Sequence, residues 1–249
     1  WRSECYNFGA VPYEGVYIGL ITVYYPTGQR LPDKANTDGF NLIQLAMSRD
    51  LKEWVRLGDR RAFLETSPVT DGLVGNYDRL QLGANNGIIQ HGDELRFYYT
   101  GNKRRVPQHD RWTDGCPRDP STLSASERAD WLEDTNGAIC LGVLRRDGFI
   151  SIDADSGGGY LISKPVRLTG ARLFLNLKAT DGAACVEMLN DKGSPVPGYS
   201  GDDAALVSGD GLRLAVHWKT GHDLDSIKEK IVRLRIRLKQ AQLYSVWCE

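Results

Sequence analysis

Glu4 and Asp78 are the carboxylates of this sequence best placed for chemistry, because each stands at the head of a β-patterned unit. A carboxyl group clustered with other groups and partly withdrawn from water has a raised pKa and can act as a general acid. Asp78 lies in Asn76-Tyr77-Asp78-Arg79-Leu80. There the carboxylate and Arg79 are expected either to bind hydroxyl groups or to hold the seam between units. Asn85 and Asn86 follow shortly after. Amides both donate and accept, which suits polyol recognition and equally suits a turn. His91, His109, His217 and His222 are not grouped at metal-ligand spacing. The five cysteines (Cys5, Cys116, Cys140, Cys185, Cys248) are scattered, odd in number and without C-x-x-C, so neither a zinc site nor a disulfide framework is expected. No phosphate loop, nucleotide fingerprint, G-x-S-x-G or H-E-x-x-H is present. No cofactor and no metal are expected.

The elements that position these groups read as strands. Val11 to Tyr25 is a turn followed by a β-branched and aromatic run, and Asn41 to Ser48 is a second apolar strand ending in Arg49-Asp50 and Trp54. Leu80 to Gln90, Leu95 to Thr100 and Ile139 to Leu144 repeat the rhythm, with Gly92-Asp93 as a tight turn. Each unit runs from an opening acid through a strand, a tight turn and an aromatic strand to a third strand closed by an Arg-Asp turn. Short strands in repeated groups, with no helices between them, predict propeller-like blades rather than βαβ units, with a generic meander as the alternative. The second unit carries a polar insertion at roughly 103–136, within which Ser124-x-x-Glu127 is a capping box for one short helix.

Beyond about Asp155 the texture changes, with 156–159 (Ser-Gly-Gly-Gly) as the expected boundary. The alternation Leu173-x-Leu175-x-Leu177, Leu212-x-Leu214-x-Val216-x-Trp218 and Leu234-x-Ile236-x-Leu238 predicts a β-sandwich. Arg233, Arg235 and Arg237 occupy the opposite face of the last strand, read as a solvated outer face. Turns are expected at Asn190-Asp191-Lys192-Gly193 and Ser208-Gly209-Asp210-Gly211. The expected organisation is therefore 1–155 for the blades and 156–249 for the sandwich.

Lys and Arg total 31 against 32 Asp and Glu, a net charge of −1, which gives no argument for a nucleic-acid partner. No apolar run approaches the roughly 18 residues needed to cross a bilayer, so no membrane partner is expected. The first residue is Trp1, read as a truncated or processed start, which leaves localisation and oligomeric state open.

Three stretches carry a resemblance: Pro12-Tyr13-Glu14-Gly15-Val16-Tyr17-Ile18-Gly19-Leu20, Ile43 to Trp54 with its S-R-D-x-x-x-W turn, and Gly92-Asp93-Glu94-Leu95-Arg96-Phe97-Tyr98-Tyr99. Together they resemble the glycosyl hydrolase-like five-bladed β-propellers of the invertase, levanase, arabinanase and β-xylosidase grouping. The tail, with Arg146-Asp147-Gly148-Phe149 and Val232-Arg233-Leu234-Arg235-Ile236, is similar to the C-terminal sandwich of a bacterial branch of that grouping. The resemblance implies about two of five blades, with the nucleophile or base on earlier blades. It implies a glycoside hydrolase, or a fragment of one, cleaving glycosidic bonds with paired carboxylates. Glu4-Cys5 matches the Glu-Cys pair that holds the general acid in invertase-like members, although Tyr6-Asn7-Phe8 departs from the usual continuation. Asp78, Arg79 and Asn85 would contact an oligosaccharide or polysaccharide, and His109 and Trp112 would belong to a lid over it. The alternative is a non-catalytic glycan-binding or assembly module on the same scaffold. In the S-R-D turn, Asp50 is expected to accept backbone hydrogen bonds and Trp54 to pack between sheets, a structural role.

Overall fold

A computed structural model describes residues 3–28, 38–67, 76–102, 124–125 and 137–249. Almost every described segment of regular structure is a strand, so the protein is all-β. Its chain divides into two compact units, Trp1–Leu144 and Arg145–Glu249.

The first unit opens with an antiparallel meander of β1 (Glu4–Tyr13), β2 (Val16–Gly28) and β3 (Asp38–Ser48). Two short strands, β4 (Trp54–Arg56) and β5 (Ala62–Leu64), share the outer side of β3. The β1–β2 turn places Glu14 and Gly15 at φ 44° and 78°. Two left-handed residues give the hairpin turn whose twist matches that of its strands. A second meander follows, of β6 (Gln81–Gly83), β7 (Ile88–His91), β8 (Glu94–Asn102) and β9 (Gly137–Arg145). Both β6 and β7 pair with β8, so together they form one interrupted inner strand, and β9 also pairs with β8. The meanders meet where Asn41 pairs with Gln81 in a parallel contact. Antiparallel four-strand groups of this kind are the unit from which propeller blades are built.

Period-2 patterning explains the packing of the first unit. Ile18, Leu20, Thr22 and Tyr24 share one face of β2, and all are buried. On the opposite face Ile21 and Val23 cluster with Ala46, covered by Tyr25 and Trp54. In β8, Leu95, Phe97 and Tyr99 are buried, whereas Tyr98 between them is exposed. The S-R-D turn behaves as expected at its acid: the Asp50 carboxylate accepts the N–H groups of Lys52 and Glu53, each at 2.9 Å. Those hydrogen bonds hold its pKa below the usual carboxylate range. Trp54 differs from expectation. It packs edge-on against Phe8 of β1, on one face of its own meander, with ring centroids 4.6 Å apart.

The second unit is one seven-stranded sheet folded on itself. Its members are β10 (Ile152–Ala154), β11 (Gly159–Ile162), β12 (Val166–Arg167), β13 (Leu173–Asn190), β14 (Leu206–Ala215), β15 (Ile231–Lys239) and β16 (Ala241–Cys248). The turn at 145–148 belongs to this unit, where the Asp147 carboxylate accepts from the Ser245 hydroxyl at 2.9 Å. The organising element is β13, an 18-residue strand rather than the short one the Leu173–Leu177 alternation predicted. Its first half pairs with β16, its second half with β15, and β14 follows both. The inward phase changes midway, from Leu173, Leu175, Leu177 and Ala179 to Ala184, Val186 and Met188. Opposite that corner the expected turn at 208–211 proves to be strand interior. Gly209 there has φ 105°, and Ala179 and Ala184 pair with Gly209 and Val207, so several residues of β13 face one of β14. A bulge bends a strand without ending it, which is why turn-type residues appear within β14. The inward side chains of both halves make a single cluster with Tyr199, Trp218 and Leu224. Full burial of each large aliphatic residue contributes about 1.5–3 kcal/mol, so this unit has a core of its own.

Its outer face is not simply solvated. Glu187 of β13 has a side chain with no exposed surface. It accepts Arg235 Nε at 2.6 Å and Arg235 Nη2 at 3.0 Å, Arg237 Nη2 at 3.3 Å, and the Gly201 N–H at 2.9 Å. Two of the three arginines that alternation placed toward water therefore clamp a buried carboxylate, which pins the 199–204 segment.

Candidate functional site

Glu4 is the first residue of β1, an edge strand of its sheet. Cys5 pairs with Val23 and Asn7 with Thr22, so Tyr6 is an extra residue bulged out of the ladder. Without that bulge Glu4 would alternate onto the face opposite Asn7. With it, Glu4 pairs with Tyr24 and shares a face with Asn7 and Gly9. Glu4 and Tyr6 are both exposed, and the Tyr6 ring lies 6.4 Å from that of Tyr24.

The interrupted inner strand of the second meander crosses that same face. Between β6 and β7, residues 84–87 leave the ladder. The Ala84 N–H donates to Thr22 Oγ1 at 2.9 Å, and Asn7 Nδ2 donates to the Ala84 carbonyl at 3.3 Å. A Cβ on Gly9 would stand 2.6 Å from Asn86 Oδ1 and 2.8 Å from the Asn85 carbonyl, so only glycine allows this approach. Asn85 is exposed, and its Oδ1 accepts the Asn86 N–H at 2.8 Å. It thus serves the turn and presents its NH2 as a donor. Gly9 stands five positions after Glu4 but, with Tyr6 bulged out, only four ladder steps away, roughly 13 Å along β1.

Asp78 has a separate setting. Its Oδ2 accepts the Tyr99 hydroxyl at 2.7 Å. Gly101 lies beneath it, where an added Cβ would come within 2.9 Å of Asp78 Cα and Cβ and of Cys140 Sγ. Burial, then the Asp78 carboxylate, pushes the Tyr99 phenol well above its usual range. Burial likewise raises the Cys140 thiol, with the Asp78 charge adding to it. Tyr99 therefore remains a donor at any ordinary pH, and Asp78 is one member of a carboxylate–phenol–thiol group. Arg79, half-buried, follows it at the start of the inner strand. Strand register separates the two opening acids. The pairs Tyr13–Val16 and His91–Glu94 close equivalent hairpins, and counting back from them sets Gln81 opposite Asn102 where Glu4 stands opposite Tyr24. Gln81, not Asp78, takes the register position of Glu4. His109, Trp112 and Cys116 lie outside the described residues, as does most of the expected short helix.

No family model matches the chain, and no curated protein matches it. Among solved structures, similarity is found to a glycoside hydrolase family 43 arabinoxylan arabinofuranohydrolase from Bacillus subtilis, in complex with cellotetraose. It has 10% identity and a TM-score of 0.27, covering 97% of this chain and 53% of that one. The Bombyx mori GH32 β-fructofuranosidase is similar at 9% identity and a TM-score of 0.24, covering 97% and 66%. This chain thus spans about half to two thirds of their lengths. Superpositions this loose do not establish a shared fold, and the architecture rests on strand pairing.

Three contributors were not singled out from sequence as parts of this site. Tyr6 acts by being surplus to the ladder, Gly9 by lacking a Cβ, and Tyr99 through its bond to Asp78. Tyr99 had a readable signal, an aromatic in a strand following an acid. The other two depend on register. Among the described residues, no group of three or more His, Cys, Asp or Glu is arranged to hold a metal, and Cys5, Cys140, Cys185 and Cys248 are free.

Proposed function

We propose that this is a carbohydrate-active protein, a glycoside hydrolase or a portion of one, in which Glu4 is the general acid. The observation that carries the reading is the Tyr6 bulge. It turns an exposed carboxyl at the head of an edge strand onto the face where the neighbouring inner strand presents Asn85. An acid and the exposed Tyr6 ring on β1, with the Asn85 amide brought over the same sheet face by the 84–87 excursion, are suited to a glycosidic bond with sugar units beyond it. In that role Glu4 protonates the leaving oxygen, and the opposing carboxylate activates water or attacks the anomeric carbon. Asp78 and Arg79 bind substrate hydroxyls at the second meander, with Tyr99 orienting the Asp78 carboxylate. His109 and Trp112 are assigned to the lid. The substrate is an oligosaccharide or polysaccharide.

A second reading, a non-catalytic glycan-binding module, is favoured by the engagement of Asp78 with Tyr99 rather than in a carboxylate pair. The two are separated by hydrolysis of a panel of aryl glycosides and plant or algal oligosaccharides by the full chain and by Glu4→Gln. The catalytic reading expects kcat/KM to fall about 10²–10⁴-fold in Glu4→Gln, the usual contribution of a general acid. A rate indifferent to Glu4→Gln removes the acid assignment. Glycan binding without turnover supports the module.

A further inference from the structure

On the outer face of the second unit, the long strand β15 carries Arg233, Arg235, Arg237 and Lys239 at alternate positions. Their side chains repeat about every 6.8 Å along the strand. One carboxylate, Glu187, answers this row, and it is fully buried between Arg235 and Arg237. Asp191 gives Arg233 only its main-chain oxygen, at 3.4 Å. Beside the row, β11 pairs Tyr160 with Arg237 and Ile162 with Arg235, and both Tyr160 and Ile162 are exposed. Tyr160, Arg237, Cys185 and Leu206 form one cross-strand line. Its two ends, Tyr160 and Leu206, are 69% and 75% exposed. The face therefore combines surplus positive charge with an open aromatic ring.

We propose that this face binds an acidic polysaccharide, with carboxylate or sulfate groups meeting Arg237, Arg233 and Lys239 while a sugar ring stacks on Tyr160. Charge spacing selects the partner. Duplex nucleic acid carries one charge per about 1.7 Å of axis, far denser than this row. A polymer charged about once per sugar suits cations set two residues apart, one of which Glu187 already neutralises. Guanidinium groups add bidentate recognition of carboxylate or sulfate. Every residue involved lies in the second unit, so the proposal stands apart from the assignment of Glu4.

Affinity electrophoresis of the full chain tests it, in gels cast with polygalacturonate, with a sulfated galactan or with neutral arabinan. Retardation is expected in at least one acidic gel, weakening as salt is added, with the two acidic gels separating carboxylate from sulfate recognition. The variant Tyr160→Ala/Lys239→Gln spares the Glu187 clamp and is expected to bind at least tenfold more weakly. Lys239→Gln alone replaces it if the double variant melts early. Equal retention in arabinan, no retention in either acidic gel, unchanged binding by the variants, or a tighter shift with single-stranded DNA overturns the proposal.

Discussion

Replacing Glu187 tests whether the clamp on β13 fastens the 199–204 segment. Glu187 has no exposed side-chain surface and contacts two arginines whose side chains are 26% and 56% exposed. Removing one partner of a buried ion pair costs about 3–5 kcal/mol, because the remaining charge is left without compensation. Here Arg237 is half in water and can rehydrate, so Glu187→Ala is expected at the lower end of that range, about 3 kcal/mol. For a unit of this size that corresponds to a fall in Tm of roughly 12 °C or more. Glu187→Gln keeps the volume and an acceptor for the Gly201 N–H, and is expected to cost less. Burial pushes the Glu187 carboxyl up, but the Arg235 and Gly201 hydrogen bonds and both guanidinium charges outweigh it, leaving its pKa below the ordinary 4.5. A lowered folded pKa means that this stabilisation is complete above the unfolded value and is lost as pH falls through the folded one. Melting below about pH 4.5 should therefore steepen in the parent and flatten in Glu187→Gln. The readouts are thermal melts across pH and hydrogen exchange at the Gly201 amide. A Tm within about 3 °C of the parent for Glu187→Ala, with unaltered exchange over 199–204, would refute the clamp, since 1 kcal/mol should already move it further.

Two further outcomes follow from the same kind of geometry. Gly101→Ala puts a Cβ against backbone and side-chain atoms of Asp78, and such overpacking costs typically 1–3 kcal/mol, read as a loss of thermal stability. Thiol labelling at pH 8 should modify exposed Cys5 first, with Cys140 and Cys185 at least tenfold slower, because burial raises both thiols; comparable rates would refute that ordering.

The parts legible in the sequence were those governed by period. Alternation over Leu234–Leu238 marked a strand with one inward face, and burial of Leu234, Ile236 and Leu238 follows it. Gly92-Asp93 marked a hairpin for the same local reason. What alternation could not carry was a change of phase. β13 joins two period-2 patterns of opposite phase at 180–183, and local patterning marks only the first, Leu173–Leu177, where the backbone makes one bent strand. The Ser208–Gly211 composition signals a turn, yet in β14 it supplies the left-handed glycine that lets the partner turn that corner. The outer arginines likewise looked solvated because Glu187 lies some 50 residues away in sequence, beyond any local window.

Phase is also what decides the candidate site. Counting by composition makes Glu4 and Asp78 equivalent heads of two units, whereas counting by register gives Gln81 the place of Glu4. The two irregularities differ by a single residue, one extra at Tyr6 against two at 84–87, and Asp78 lies three residues ahead of Gln81, before the ladder begins. The extra residue at Tyr6 sends Glu4 to the face that receives the excursion of the second meander. The excursion in turn reaches β1 only because Gly9 leaves room for Asn85 and Asn86. Two irregularities thus fall on the same face, one turning Glu4 onto it and the other bringing Asn85 and Asn86 against Gly9 farther along β1. A repeat needing only stability would gain nothing from breaking its ladder twice on the same face, since each break gives up cross-strand hydrogen bonds. On that physical ground the proposed function is placed on β1 and the 84–87 excursion rather than on the S-R-D turn, whose polar groups are consumed by its own backbone.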